Sequence, residues 1–184
     1  MAEVFVISYT HLGHENILKF KKDGHPLRPF KSLTEMHVAI IDNWNHVVTP
    51  RDKIYHLGDV AFSKSGLHLL HMMNGKKRLV RGNHDLYKIS LYLEYFQEVY
   101  GVKQINGLWL THIPMAWECV RGERVKMNVH GHLHANVIPR PKYFSACVEQ
   151  INYTPVSLDI INEIADIEAQ DRKNEDKEAD CPSE

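Results

Sequence analysis

Five short apolar runs, at residues 4–7, 53–57, 78–80, 108–110 and 127–129, have the length and composition of buried strands. Each gives way within a few residues to histidine, aspartate or asparagine: Ser8-Tyr9-Thr10-His11, Gly58-Asp59, Gly82-Asn83-His84-Asp85, Thr111-His112 and Gly131-His132-Leu133-His134. In an open α/β sheet, ligands bind in the crevice beyond the carboxyl ends of the strands, so five strand ends can deliver these side chains into one pocket.

Between the runs lie helical signals. Ser32-Leu33-Thr34-Glu35 is a capping box, followed by Met36, Ile40, Trp44 and Val47 on one helical face. Leu67, Leu70 and Met73 ahead of Gly75 predict a second helix over 64–74, and 86–99 reads as a third. Asn106-Gly107 is a hairpin turn that pairs the 99–105 segment with the strand at 108. Residues 143–150 read as a further strand, and Leu158, Ile161, Ile164 and Ile167 mark an amphipathic helix from near Ser157. Alternating strands and helices with one antiparallel hairpin predict an α/β class and a mixed sheet. One domain is expected over 1–169, with a charged, disordered tail over 170–184.

Composition narrows the function. Three cysteines, far apart and in no Cys-x-x-Cys pair, suggest neither a disulfide framework nor a structural zinc, and a reducing, cytoplasmic setting is expected. The first residues lack a signal-peptide pattern, and no apolar run approaches the ~18 residues of a membrane span. A net charge of −1 gives no general nucleic-acid footprint, although Lys76-Lys77-Arg78 and the 121–126 segment are locally basic.

Imidazole and oxygen donors without thiolates suit manganese, iron, zinc or magnesium. Asp-x-His, Gly-Asp, Gly-Asn-His-Asp, His and Gly-His-x-His, in this order, is the pattern of the calcineurin-like metallophosphoesterases. The chain resembles their small single-domain bacterial and phage members as far as about residue 165. The resemblance implies two mixed sheets in a sandwich flanked by helices, the family's four-layer fold. It also implies two divalent metal ions and hydrolysis of a phosphate ester, more a diester than a monoester, with a nucleotide among the candidate substrates. Asp59 would bridge the ions, with residue 9, His11 and His134 at one site and Asn83, His112 and His132 at the other. His84 would be the catalytic histidine and Asp85 the residue that orients it.

The chain departs from that pattern at Tyr9, where the family has an aspartate; a neutral phenol of pKa about 10 is a poorer ligand for a divalent ion. Purple acid phosphatases use a tyrosinate three residues after the Gly-Asp aspartate, but that offset here holds Phe62. Three readings follow for Tyr9: an introduced, disabling substitution, a natural variant with a weakened or single-metal site, or a phenolate that still binds. The alternative to an enzyme is a binding or scaffold protein that keeps the fold without turnover.

Other residues carry weaker signals. His14 either touches substrate phosphate or caps a helix, and Arg81 either grips phosphate or faces solvent. His56 and His130 read as core residues or as supports for ligands. His25, His37, His46, His68 and His71 belong to no motif and read as ordinary histidines. Trp117 and Arg121 are expected on a loop near the pocket mouth.

Overall fold

A computed structural model describes residues 2–179, with side chains as far as residue 174. In chain order the elements are β1 (Val4–Ile7), β2 (Lys21–Lys22), β3 (His25–Pro26), α1 (Leu33–Val47), β4 (Lys53–His56), α2 (Lys64–His68), β5 (Lys76–Val80) and α3 (Ile89–Tyr92). There follow β6 (Glu98–Tyr100), β7 (Lys103–Ile105), β8 (Leu108–Thr111), α4 (Trp117–Val120), β9 (Met127–His130), β10 (Tyr143–Ser145), β11 (Val156–Ser157) and α5 (Leu158–Ala179).

The strands form two mixed sheets and a small β2–β3 hairpin. The first sheet runs β11-β1-β4-β5-β6, with β11 antiparallel to β1 and the other pairs parallel. The second runs β10-β9-β8-β7, with only β7 antiparallel to its neighbour. Strand alternation gives the first sheet two buried faces. Phe5, Ile7, Ile54 and Leu79 pack with Met36, Ile40 and Trp44 of α1 and with Leu67 of α2. Val6, Tyr55 and Val80 point the other way, against Leu108, Leu110, Met127 and Val129 of the second sheet and Leu158, Ile161 and Ala165 of α5. The molecule is therefore an α/β sandwich with one core outside the first sheet and another between the sheets.

Helix α1 starts as its capping box predicts: the Ser32 hydroxyl accepts from Glu35 N. The returning bond from Glu35 goes to Lys31 N rather than to the cap residue. The fully buried Trp44 donates its indole N–H to the Asn74 carbonyl at 3.0 Å, so the ring is packed without an unpaired donor.

Several expectations change. The strand expected over 143–150 ends at Ser145, and the helix expected over 64–74 is α-helical only to His68 and then tightens into a 3-10 turn over Leu69–Met72. Residues 99–105 are not one strand: β6 pairs with β5 in the first sheet, the chain passes Gly101 and Val102, and β7 joins the second. The helix expected over 86–99 shrinks to the single turn α3, because the 82–88 loop is held to the Asp59 loop by Asp85 and folded on itself by Arg81. Helix α5 continues through the charged segment to Ala179, where a disordered tail is expected from residue 170. Contacts four residues apart, Glu168 with Arg172 and Gln170 with Asn174, support the added turns. The rest of that tail, residues 180–184 with Cys181, lies outside the described residues. Among the described residues no helix is long and apolar enough to cross a membrane.

Candidate metal centre

The motif loops gather at one end of the sandwich, where both sheets run out. The Gly58-Asp59 loop runs beside the first motif, with Tyr9 N donating to Gly58 O and His11 N to Asp59 O, each at 3.1 Å. Ser8 N donates to Ala146 O beyond β10, which ties the first motif to the second sheet, and Gly131 N donates to His112 O, which joins two loops of the second sheet. Two glycines allow this crowding. A Cβ on Gly58 (φ 90°) would stand 2.5 Å from Gly82 N and 2.6 Å from the His112 ring, and one on Gly82 would collide with the Asp59 carboxylate.

Asp59 is buried between His11 and His112, with Oδ2 3.9 Å from His11 Nε2 and Oδ1 3.6 Å from His112 Nε2. His112 Nδ1 donates to the Leu57 carbonyl at 2.7 Å, which leaves Nε2 as the ring's lone-pair nitrogen when the imidazole is neutral. That nitrogen faces Asn83 Oδ1 at 2.8 Å as well as Asp59 Oδ1. Bonds of ~2.1 Å at tetrahedral or octahedral angles set donor atoms roughly 3.0–3.5 Å apart. The distances from His112 Nε2 to Asn83 (2.8 Å) and Asp59 (3.6 Å) fall just to either side of that range, so small side-chain shifts would let the three share a cation. His132 stands across from His112, with ring centroids 5.2 Å apart. Both ring nitrogens of His11, Asp59 Oδ2 and His132 Nδ1 are buried without hydrogen-bond partners, as unused ligand atoms would be.

Burial depresses the basicity of His11, reinforced by the charge of Arg28. Burial also lowers His132, with His112 adding to it. Neutral rings with free lone pairs are the form a metal requires.

Tyr9 occupies the middle of this cluster. Its ring is 3% exposed and lies 4.2 Å from the His134 ring, 4.3 Å from His11, 5.7 Å from His112 and 6.3 Å from His132, centroid to centroid. Burial pushes the Tyr9 hydroxyl above the ordinary phenol range, and the Asp59 charge pushes it further, so the side chain is held neutral. The set of Tyr9, His11 and His134 does not fit a divalent ion, because an uncharged ring fills the space between the imidazoles. Among the described residues no three His, Cys, Asp or Glu side chains close on one point as a ready metal shell. The set that does converge depends on the amide oxygen of Asn83.

Asp85 makes its hydrogen bonds to backbone and not to the His84 ring. Its buried carboxylate accepts from Asp59 N at 2.9 Å, Gly82 N at 2.8 Å and Val60 N at 3.0 Å, and so clamps the second and third motif loops together. The His84 backbone N–H donates to Asp59 Oδ1 at 2.9 Å, and its exposed ring stands near Phe62 and His11. Arg81 donates to the carbonyls of Asp85 and Tyr87, which fastens the same loop. His14 is half-buried at the rim, stacked on Phe62 with centroids 4.1 Å apart, and makes no side-chain cap to the short turn that follows. Beside the centre, a groove of about 440 Å³ is lined by Arg81, Asn83, Val102, His112, Ile113 and Met115. Trp117 packs against Tyr143 on the outer side of the second sheet.

Two residues that sequence reading passes over prove central. Arg28, 1% exposed, donates to Tyr9 O at 2.6 Å and Thr10 O at 3.0 Å, and pairs with Glu149 at 2.7 Å. Glu149 in turn accepts from His134 Nδ1 at 3.2 Å. Burial raises the Glu149 carboxyl, but the His134 bond and the Arg28 charge outweigh it and hold the group below its usual range. His37 also supports the site, accepting from Gly13 N at 3.0 Å, and His56 donates to the Thr10 hydroxyl, which itself donates to Val60 O. Neither Arg28 nor Glu149 stands in a motif, and no local signal marks them.

The chain is 36% identical over 174 residues to the uncharacterized protein MJ1445 of Methanocaldococcus jannaschii, across 88% of this chain and 90% of that protein. It is 24% identical over 173 residues to the Gene 66 protein of Mycobacterium phage L5, across 75% and 80% of the two chains. The crystal structure of AQ665 from Aquifex aeolicus, a protein of unknown function, superposes with a TM-score of 0.71 at 31% identity, covering 89% of this chain and all of that one. No model of a known protein family matches the chain.

Proposed function

The chain belongs to one family with MJ1445, and from its site we propose that it is a metal-dependent phosphoesterase whose first cation site is blocked by Tyr9. The observation that carries this reading is the lone-pair nitrogen of His112 facing the oxygens of Asn83 and Asp59. A cation bound between them would give these donor atoms a common partner. Asp59, Asn83, His112 and His132 would hold a manganese, iron, zinc or magnesium ion there. Such an ion polarises the phosphoryl oxygen and acidifies an attacking water.

The remaining roles fall to the chain's own side chains. His84, held by its backbone to Asp59 and exposed at the rim, stands where it can give a proton to the departing alkoxide. His14, stacked on Phe62, offers a second imidazole to the phosphate. The groove beside Asn83 and His112 takes an organic arm of the ester against Val102, Ile113 and Met115, and the preference for a diester over a monoester rests on the family resemblance.

A second reading has a specific observation in its favour. The neutral Tyr9 ring in the centre of the histidines suits a binding or scaffold protein that has lost turnover. One experiment separates the two. Hydrolysis of a chromogenic phosphodiester and its monoester is measured with added manganese for this chain and for Tyr9→Asp. The enzyme reading expects Tyr9→Asp to be faster by about 100-fold or more, since a second cation supplies several kcal/mol of transition-state stabilisation. If the folded Tyr9→Asp protein binds manganese yet hydrolyses neither ester, the scaffold reading replaces it.

A further inference from the structure

Between the first motif and α1 the chain makes an excursion that belongs to neither core. Residues 19–26 are all exposed, and β2 and β3 pair only with each other, through an Asp23-Gly24 turn with both residues in left-handed backbone, at φ 51° and 82°. A two-stranded ribbon without an apolar face is marginal on its own. This one is pinned in place: Leu27 N donates to Phe20 O at 2.8 Å, and Lys22 Nζ donates to Ala135 O at 2.6 Å, next to the last motif. Phe20, 44% exposed at the start of the ribbon, lies edge-on to the His14 ring with centroids 5.8 Å apart. His14 stacks on Phe62, itself 38% exposed, and Phe62 stands 5.0 Å from the His11 ring and 5.1 Å from that of His84. A row of rings therefore leads from the centre out to the hairpin on the His11 side, whereas the Ile113 groove lies on the His112 side.

Single exposed apolar side chains are ordinary, but Phe20 and Phe62 are members of one ring row, and cations flank it. Lys19, Lys21 and Lys22 surround Phe20 in sequence. Lys19 donates to Asn16 Oδ1 and Lys22 to Ala135 O, which leaves Lys21, exposed in β2, as the cation on offer. Aromatic rings with an interleaved cation hold nucleotides without reading their sequence: the rings take base faces and the cation takes phosphate. A net charge of −1 does not suit a long nucleic acid, so the ligand is short. We propose that Phe20, His14 and Phe62, with Lys21, form a stacking subsite for a short nucleoside phosphodiester, in which a base lies on the rings and Lys21 meets the next phosphate along the strand. The placing of one phosphate at the metal centre rests on the phosphoesterase reading above; the stacking of a base on the rings does not.

The test needs no metal. The full, metal-free chain is titrated with adenylyl-adenosine and with a single-stranded tetra-adenylate, and the proton NMR shifts of the adenine rings are followed. Those protons should move upfield to saturation as the base stacks. Phe20→Ala, a change at an exposed side chain, should weaken both ligands about 5- to 100-fold, and Phe20→Trp should restore them. Phe62→Leu, which keeps an apolar side chain beside His84, should weaken them over the same range. Lys21→Gln should spare adenylyl-adenosine, whose single phosphate lies at the centre. For the tetranucleotide it should lower the slope of log affinity against log salt by about 0.7. Binding that Phe20→Ala leaves unchanged overturns the proposal, as does a loss that Phe20→Trp fails to restore, since the ring then only packs. The absence of saturable binding of either nucleotide up to about 1 mM overturns it as well. If Tyr9→Asp hydrolyses neither chromogenic ester while nucleotides still bind through Phe20, the phosphoesterase reading falls and the subsite stands.

Discussion

Replacing Asp85 separates a stabilising role from a catalytic one. Its carboxylate satisfies three backbone N–H groups, of Asp59, Val60 and Gly82, at 2.8 to 3.0 Å, and the side chain is buried. Asp85→Ala strands all three donors at a cost of about 1–3 kcal/mol each, reduced where water enters the vacated space; a net loss of about 3–5 kcal/mol is expected. That is a large share of the ~5–15 kcal/mol by which domains of this size are stable. Asp85→Asn keeps one oxygen, able to accept two of the three bonds, but its amide N–H would face the third; a loss of about 1–2 kcal/mol is expected. Urea unfolding followed by circular dichroism reads this directly. With a slope of roughly 2 kcal/mol per molar urea, Asp85→Asn should lower the midpoint by about 0.5–1 M without changing the slope. If Asp85 acted by orienting His84, Asp85→Asn would leave the midpoint where it is and lower turnover in the Tyr9→Asp background instead. An unchanged midpoint in Asp85→Asn, or a loss below about 1 kcal/mol in Asp85→Ala, refutes the clamp.

Burial, aided by the charge of His112, pushes the His56 imidazole down to about 3 in the folded chain. The unfolded chain, with a pKa of about 6.5 there, takes up the proton first, so this contribution is complete above pH ~6.5 and falls by up to ~1.4 kcal/mol per unit as pH drops toward 3. The acid limb of a stability–pH curve should be shallower in His56→Gln, which keeps a donor for Thr10; an identical limb would refute the assignment. In the groove, Ile113 is 56% exposed, so Ile113→Asp should leave stability within ~0.5 kcal/mol. In the Tyr9→Asp background it should lower kcat/KM for an aromatic diester about 10-fold while sparing a dimethyl ester, and equal loss on both would remove the groove from substrate binding.

Much of the architecture is legible locally. The Ser32 cap, the strand at Val4–Ile7 and the Asn106-Gly107 hairpin all follow from patterns of a few residues, and all stand in the structure. What local pattern misses is which sheet a strand joins. Residues 99–105 read as one run, yet they change sheets at Gly101 and Val102, because pairing partners far along the chain decide the matter. The same limit applies to the site. His11, Asp59, Asn83, His112, His132 and His134 are visible because each follows a strand, and the structure gathers them around one centre. Asp85 is visible for the same reason, but only its hydrogen bonds reveal that it serves backbone rather than His84. Arg28 and Glu149 sit in no motif, and their meaning exists only once the fold brings them behind Tyr9 and His134.

The backbone bears on why Tyr9 matters. Among the described residues ten non-glycines have positive φ, and five of them, Tyr9, His11, Asp59, His132 and His134, stand at expected ligand positions. Each left-handed residue costs on the order of 1 kcal/mol, so this concentration marks a site whose loops are bent to aim side chains inward rather than to suit the chain. Aspartate, asparagine and histidine tolerate that conformation better than other side chains, and four of the five positions carry such a residue. Tyr9 is the exception, an aromatic at φ 68° held by the Arg28 bond to its carbonyl and by the imidazoles packed around its ring. An aspartate there would ease the backbone but remove the ring and set a second carboxylate beside Asp59. Without a cation that arrangement lacks both packing and charge balance; with one, the two carboxylates and the free nitrogens of His11 and His134 have a common partner. The same position thus decides whether this centre is closed by packing or by charge, while the support from Arg28 and Glu149 is in place for either.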